Sequence, residues 1–471
     1  MPHEHLLPAP EWNALGSRRF PVGNPRSGHC TVCFVGSFYP APAPRSTAKP
    51  ENDPLAAGAP RGIRCAGGGP VGAVSREGEE REMDLQQYED EFGFRGPLPT
   101  SSNQRRLPEP GFSPGPEVGE RLLDFSLTDH TGRRTTLHAD RGDEKAAVVF
   151  FRSIVWSPAC LTQLGEFQDA LPDFRAAGVR LYGLSYDDRE ALAEFARVRR
   201  IGFPLLSDPS SAVIWRFGLL NTLLALSDVP FYGVAYPGTF LLDEAGLVAA
   251  KFFQRHMSIR VSAETVLDTA TGRIALGEEE PRAVGGGDGV RVTAFLRGGR
   301  GVVKMGALRR LVVHLELEQG LSLCAPPAPA GVQALEIEVT GPPGLHVEAP
   351  VLPPATPRPV PGRDGQLSSW SGSVDLVVPV WASSDLICIM TAPKRESAKL
   401  ELTLRYQLCD AGGLRPPRSE RLTLEVPIGA HDVPNLPEIG ATGHKLIAME
   451  SVRHFQRMIR RATPELDGDS D

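Results

Sequence analysis

At 471 residues the chain exceeds the usual length of one domain, so two domains with tails are expected. A hydrophobic share of 41%, with 49 Gly and 44 Pro, implies that part of it is loop or linker. A formal net charge of -7 argues against nucleic acid as a partner, and no stretch is long and apolar enough to span a bilayer.

Residues 1–112 are rich in Pro, Gly, Ser and Arg and carry no sustained period of 2 or 3.6. Segments such as PAPAPRSTAKPENDP bury too little apolar surface to offset the entropy of ordering them, so a disordered leader is expected. The first twenty residues lack a basic start followed by an apolar core, and no secretory signal is visible. Composition changes at Met83, which we read as a candidate translation start. The seven cysteines, at 30, 33, 65, 160, 324, 388 and 409, are odd in number and scattered. That does not describe a disulfide framework, and a reducing cytoplasm is the simplest setting.

From about residue 121 strands and helices alternate. RLLDFSLTD and a turn at HTGRR precede a short strand, TTLHA. AAVVFFR is a continuous apolar run, as in a strand covered on both faces. Pro158 then opens a helix whose Leu161, Leu164, Phe167 and Leu171 share one face. VRLYGLS is a further buried strand, and Asp187 or Asp188 can cap the helix DREALAEFARVRR. FPLLSD, a helix around Ala212–Phe217, the strands GTFLLDE and LVAAKFF, and a helical segment after Ser262 complete a thioredoxin-type order over 113–275.

Residues 276–288, with the glycines from Gly285, read as a linker; no helix pattern follows them, so they are not a phosphate loop. Beyond it the period becomes 2. Leu311, Val313, Leu315 and Leu317 alternate with Val312, His314 and Glu316. Leu335–Val339, Leu400–Tyr406 and Leu422–Ile428 repeat the alternation, separated by Pro-rich connections, which predicts an antiparallel β-sandwich over 289–430. The tail 431–471 contains HKLIAMESVRHFQRMIRR, a short basic amphipathic helix expected to dock on the body rather than on a membrane.

The chemistry concentrates in FFRSIVWSPACLTQLGEFQ, residues 150–168. A cysteine in the first turn of a helix faces unpaired backbone N–H groups and the positive end of the dipole, and both favour the nucleophilic thiolate. Ser157, three residues before Cys160, offers a hydroxyl to the sulfur or to a peroxide oxygen; Arg152 adds positive charge if the fold turns it inward and is otherwise a surface charge.

This stretch resembles the alkyl hydroperoxide reductase/thiol-specific antioxidant family, and within it the peroxiredoxin-like redoxin branch with its R-S-x-x-W-C-P-x-C-x-x-Q-L motif. Arg152, Ser153, Trp156, Pro158, Cys160, Gln163 and Leu164 match that motif position by position. GLSYDDREALAEFA, FPLLSDPSSAVIWRFGLLN, YGVAYPGTFLLDEAGLVAAKFF and a later R-x-S follow in the expected order. The resemblance implies a thioredoxin fold, a peroxide substrate, a small-thiol or thioredoxin-like reductant, no cofactor, and Cys160 as attacker with Ser157 in the T/S-x-x-C position. It also implies that Pro237 is the cis-proline facing the active cysteine.

Departures from the pattern open alternatives. Ser157 replaces the first motif cysteine, so no C-x-x-C dithiol is present. Ser153 stands where the peroxidase loop begins with Pro, and Pro237 where peroxidases usually supply a second Arg. A catalytically degenerate redoxin that serves as an interaction protein is therefore the competing reading, and a redox sensor the third.

LRYQLCDAGGLRPP, residues 404–417, and VTGPPGLHVEAP resemble parts of the N-terminal domain of thiol:disulfide interchange transmembrane reductases. Cys409 takes the place of that domain's first redox cysteine and Leu414 that of the second. The resemblance implies Cys409 as a candidate resolving thiol for Cys160, while Cys324 and Cys388 read as core. His29, Cys30 and Cys33 are half a zinc site without the other half, so no metal is expected.

Overall fold

The computed structural model describes residues 111–221, 223–224, 233–275, 280–359, 366–387, 393 and 395–434. The leader to residue 110 with Met83 and Cys30–Cys33, the tail helix and Cys388 lie outside the described residues. Among the described residues no helix is long and apolar enough to cross a membrane.

The first part of the fold runs β1 (Ser126–Asp129), β2 (Arg134–Thr136), α1 (Leu137–Arg141), β3 (Lys145–Phe150), α2 (Pro158–Asp169), α3 (Leu171–Ala176), β4 (Val179–Ser185), α4 (Arg189–Arg199), β5 (Leu205–Ser207), α5 (Ala212–Arg216), β6 (Gly238–Leu242) and β7 (Val248–Phe253). These strands form one sheet in the order β2-β1-β5-β4-β3-β6-β7. β3, β4 and β5 are parallel, while β6 and β7 close the other side antiparallel. This is a thioredoxin-like arrangement. The run Ala146–Phe150 is wholly buried because each face of β3 meets its own apolar cluster. Two expectations shift locally. Leu137 and His138 open α1 rather than continuing β2, and Leu171 starts α3 after Ala170, although it stays buried.

A short strand β8 (Arg260–Val261) and α6 (Ala263–Thr271) follow, with the Ser262 side chain accepting a hydrogen bond from the Thr265 N–H. The second part is β-rich: β9 (Arg282–Gly287), β10 (Val290–Arg297), β11 (Ala307–Leu317), β12 (Ser322–Cys324), β13 (Glu336–Thr340), β14 (Leu345–Val347), β15 (Thr356–Pro359), β16 (Gln366–Ser371), β17 (Ser373–Ala382), β18 (Ser397–Tyr406), β19 (Leu408–Asp410), β20 (Gly413–Leu414) and β21 (Arg418–Pro427). Three sheets result: β14-β17-β11-β10-β9, β15-β16-β12-β19-β20, and β13-β18-β21. The alternating residues read from the sequence, among them Leu311, Val313, Leu400, Leu402, Leu422 and Leu424, enclose one shared core.

The expected linker is corrected here. Residues 282–287 are strand β9, paired along its length with β10 through a two-residue turn at Asp288 and Gly289. Both turn residues have positive φ, 48° and 96°, as the primed hairpin turns require. Gly285–Gly287 show no alternation because they have no side chains to alternate. A Cβ at Gly285 would stand 2.6 Å from Glu420 Oε1 and 2.7 Å from Leu422 Cδ2, so those side chains would have to shift to admit one.

The two parts are joined by more than chain connectivity. β8 pairs in parallel with the start of β11, aligning Arg260 with Ala307 and Val261 with Leu308. Arg309 of β11 is fully buried and donates to both carboxylate oxygens of Glu166 on α2, at 2.6 and 2.9 Å. Lys304 stands 3.5 Å from the same carboxylate. Beside it Arg297 bridges Asp268 of α6 and Glu280, and Arg310 also binds Asp268. Burial pushes the Glu166 carboxyl up, yet Arg309 and Lys304 outweigh it and hold it below the ordinary carboxylate range. A carboxyl depressed in the folded state adds stability above its unfolded pKa and loses it as pH falls through the lower folded value.

Removing one member of a buried pair strands the other's charge, at a cost of about 3–5 kcal/mol, whereas replacing both by apolar groups costs far less. We therefore expect Glu166→Gln to lower the unfolding free energy by about that amount in urea melts, and Glu166→Leu with Arg309→Met to recover most of it. A single variant melting at the parent midpoint would mean that this pair does not hold the two parts together.

Candidate active site

Ser157 is the N-cap of α2 and Pro158 its first residue, where a missing N–H costs nothing. Cys160 follows within the first turn, its N–H donating to the Ser157 carbonyl at 2.9 Å. The thiol is fully buried. Arg260 Nη2 lies 3.4 Å from the sulfur, and the same guanidinium donates to the carbonyls of Met257 and Ile259 at 2.6 and 2.9 Å, which fixes its aim. Arg152 supplies a second guanidinium, stacked 4.8 Å from the centre of the Trp156 ring. The Trp156 indole N–H in turn donates to the Tyr186 hydroxyl at 2.9 Å.

Burial is the largest single influence on Cys160 and pushes the thiol up. Arg260, Arg152 and the Ser157 hydroxyl push the other way and prevail, so the thiol sits below its ordinary range. Burial and the nearby Arg260 bring Arg152 down to about 10, which leaves it charged at neutral pH. The result is a desolvated thiol facing two cations and a hydroxyl that favour its thiolate form. Such a group is equipped to attack a small electrophile and to stabilise negative charge on the atom that leaves.

The loop that presents these groups hangs on Asp187, which is fully buried. Its carboxylate accepts from Ser153 Oγ at 2.6 Å, from the Ile154 N–H at 2.9 Å and from Ser185 Oγ at 2.9 Å. Ser153 Oγ also accepts from the Val155 N–H at 2.9 Å. Of the two residues offered as the cap of α4, Asp188 holds the N-cap position, without a side-chain cap bond, and Asp187 ties down the 152–157 loop instead.

The β-rich part completes the surroundings. The Arg260 N–H donates to the Gly306 carbonyl at 2.7 Å, and a small cavity beside Arg260 is lined by Gln163, Met305, Ala307 and His431 among others. His431 Nδ1 is 3.0 Å from Thr162 Oγ1 on α2, and Asp432 pairs with Arg199 at 2.6 Å. Burial, Lys304 and the neighbouring guanidiniums bring the His431 imidazole down to about 4, so it is neutral here near pH 7.

Of the residues singled out in the sequence, the structure brings together Cys160, Ser157 and Arg152. Pro237 departs from expectation. The Tyr236–Pro237 bond is trans, the cis bond among the described residues being Pro326–Pro327. The Tyr236 N–H donates to the Leu219 carbonyl at 2.7 Å and Pro237 leads directly into extended β6, a path that trans geometry serves. The second cation that this position lacks comes from Arg260, a hundred residues after Cys160, visible in the sequence only as the arginine of R-x-S.

Cys409 is likewise not with Cys160. β11 starts against Arg260, and its eleven residues lead away over about 33 Å before the chain turns into β12, beside which Cys409 lies. The neighbour of Cys409 is Cys324, which is buried as expected. Cys160, Cys324 and Cys409 are free thiols. Among the described residues no group of His, Cys, Asp or Glu is arranged to hold a metal ion.

Comparison with known proteins agrees with this geometry over the first part of the fold. Residues 118–251 match the AhpC/TSA family. A putative peroxiredoxin of Mycobacterium tuberculosis is 34% identical over 139 residues, spanning 28% of this chain and 83% of the relative. Peroxiredoxin Bcp of Escherichia coli is 29% identical over 140 residues, spanning 29% of this chain and 85% of the relative. The crystal structure of peroxidoxin BcpB from Mycobacterium tuberculosis aligns with 33% of this chain and 96% of its own, at 25% identity and a TM-score of 0.29. With the Mycobacterium tuberculosis relative 34% identical and covered over 83% of its length, the chain belongs to the AhpC/TSA family, the peroxiredoxin-like branch of the thioredoxin fold.

Proposed function

We propose that this protein is a thiol-dependent oxidoreductase that reduces peroxides through Cys160. The observation that carries the reading is the Arg260 guanidinium 3.4 Å from a fully buried Cys160 sulfur, with Arg152 as a second cation. A degenerate redoxin kept for binding would have no need to hold two cations on a desolvated thiol. The Cys160 thiolate attacks one oxygen of R–O–O–H and the O–O bond breaks. The alkoxide or hydroxide leaves and takes up a proton, and Cys160 becomes a sulfenic acid. Ser157 orients the peroxide, and the two guanidiniums stabilise the charge moving onto the departing oxygen.

Reduction then needs two external thiols. The first condenses with the sulfenic acid to a mixed disulfide and water; the second releases Cys160 as thiol and leaves the reductant as disulfide. A small thiol or a thioredoxin-like protein fits this role, since Cys409 lies too far along the β-rich part to resolve Cys160 of its own chain. We take residues 113–275 as the catalytic domain and the three-sheet region as a β-sandwich that braces Arg260.

Two measurements test this. Cys160→Ser should abolish peroxide consumption by the full chain, and dimedone labelling of the parent after peroxide should fall on Cys160. Equal, slow consumption by both proteins with Cys160 unlabelled would sink the proposal. Arg260→Ala removes a charge-assisted contact worth about 1.5–3 kcal/mol, so the peroxide rate at pH 7 should drop about 10- to 100-fold. Because the thiol pKa rises in that variant, its rate should recover as pH increases, and Arg260→Lys should restore part of the loss. A pH profile identical to the parent's would remove Arg260 from the site.

A further inference from the structure

We propose that Cys324 and Cys409 form a second redox site, a dithiol that exchanges with disulfides and closes to an intramolecular disulfide, a function that does not rest on the peroxide reading. The register carries it. β12 and β19 are antiparallel, with Ser322 opposite Cys409 and Leu323 opposite Leu408. Residues two apart on a strand share a face, so Cys324 and Cys409 project from the same face of adjacent strands, one diagonal step apart. They share a small apolar cluster with Leu367 and Leu414, separate from the main core of the β-rich part.

The two thiols are unequal, as an exchange site requires. Cys324 is fully buried, whereas Cys409 is half-buried and so the one a disulfide can reach. Burial, with Cys409 alongside, pushes the Cys324 thiol up to about 12. Burial, joined by the Asp410 carboxylate, also raises Cys409 and prevails over the Cys324 thiol and Arg358, so exposure is what singles it out. Cys409, the thiol that an external disulfide can reach, is therefore the nucleophile, and the buried Cys324 the proton donor. A diagonal step lies just beyond the usual Cα separation of a disulfide, so closing it needs backbone movement of the two three-residue strands.

The exchange balances without a further reagent. The Cys409 thiolate attacks R–S–S–R, forming Cys409–S–S–R and releasing R–S⁻. Cys324 then attacks the Cys409 sulfur, its proton goes to the departing R–S⁻, and the Cys324–Cys409 bond forms. The two thiols are oxidised and one external disulfide is reduced to two thiols.

The test uses the full chain carrying Cys160→Ser, so that neither the peroxide site nor its failure enters the result. Oxidised glutathione is the probe, followed by acid quench and non-reducing peptide mapping. The expected product is the Cys324–Cys409 cross-linked peptide, formed faster as pH rises through and above the ordinary thiol range. Adding Cys324→Ser should leave glutathione trapped on Cys409, and adding Cys409→Ser should leave Cys324 reduced. The map of the Cys160→Ser chain decides the matter by itself should either further variant fold poorly. Both cysteines unmodified, or a glutathione adduct on Cys409 as persistent with Cys324 present as without it, would overturn the proposal.

Discussion

A fully buried sulfur holds negative charge only where positive groups outweigh the hydration it has lost. At Cys160 that balance depends on Arg260 more than on Arg152 or Ser157. Arg260 comes from a two-residue strand that would be weakly placed by itself. Its guanidinium is clamped by the carbonyls of Met257 and Ile259, and its backbone is held by Gly306 and by pairing with β11. The charge on Cys160 is therefore set in part by the β-rich region, through main-chain hydrogen bonds.

The contacts between the two parts serve the same end. Buried ion pairs add little net stability once desolvation is counted, but they penalise every arrangement that leaves a partner unpaired. Glu166 stands on the same helix as Cys160, fewer than two turns further on, and is gripped by Arg309 from β11. Asp268 on α6, the helix that follows Arg260, is gripped by Arg297 and Arg310. The helix that carries Cys160 and the helix that follows Arg260 are thus each tied to the β-rich part by a carboxylate of their own. A rotation of α2 or a slide of β8 would break one of these pairs, so α2 and β8 keep their relative position.

The sequence made the local half of this site legible. Ser157, Pro158 and Cys160 lie within one helical turn, so spacing placed them together, whereas Arg152 on the preceding loop joined them only because the fold turns it inward. The alternation in β11, β18 and β21 was equally plain because one face of each strand is buried. What stayed hidden was what depends on long-range pairing. Arg260 reaches Cys160 only after the sheet forms, and Asp187 looked like a cap because its partners Ser153 and Ile154 lie more than thirty residues earlier. Gly285–Gly287 carried no strand signal for want of side chains, and the Asp288–Gly289 pair, a hairpin-turn signal, looked like part of the linker. The neighbourhood of Cys324 and Cys409 rests on the β12–β19 register, which no local pattern encodes.

The length of β11 has a consequence for how the two candidate redox centres relate. One end of the strand is hydrogen-bonded beside Arg260, and the other leads into β12 with Cys324. A straight strand of this length cannot bring its ends together, and its pairing with β10 and β17 on either side stiffens it further. Direct disulfide transfer within one chain would require this central strand to come apart, at the expense of the core it lines. Any electron exchange between Cys160 and the distal thiols must then pass through a diffusible thiol or a second molecule. The β-rich part acts on Cys160 through structure, by holding Arg260, while its own thiols lie apart from that site.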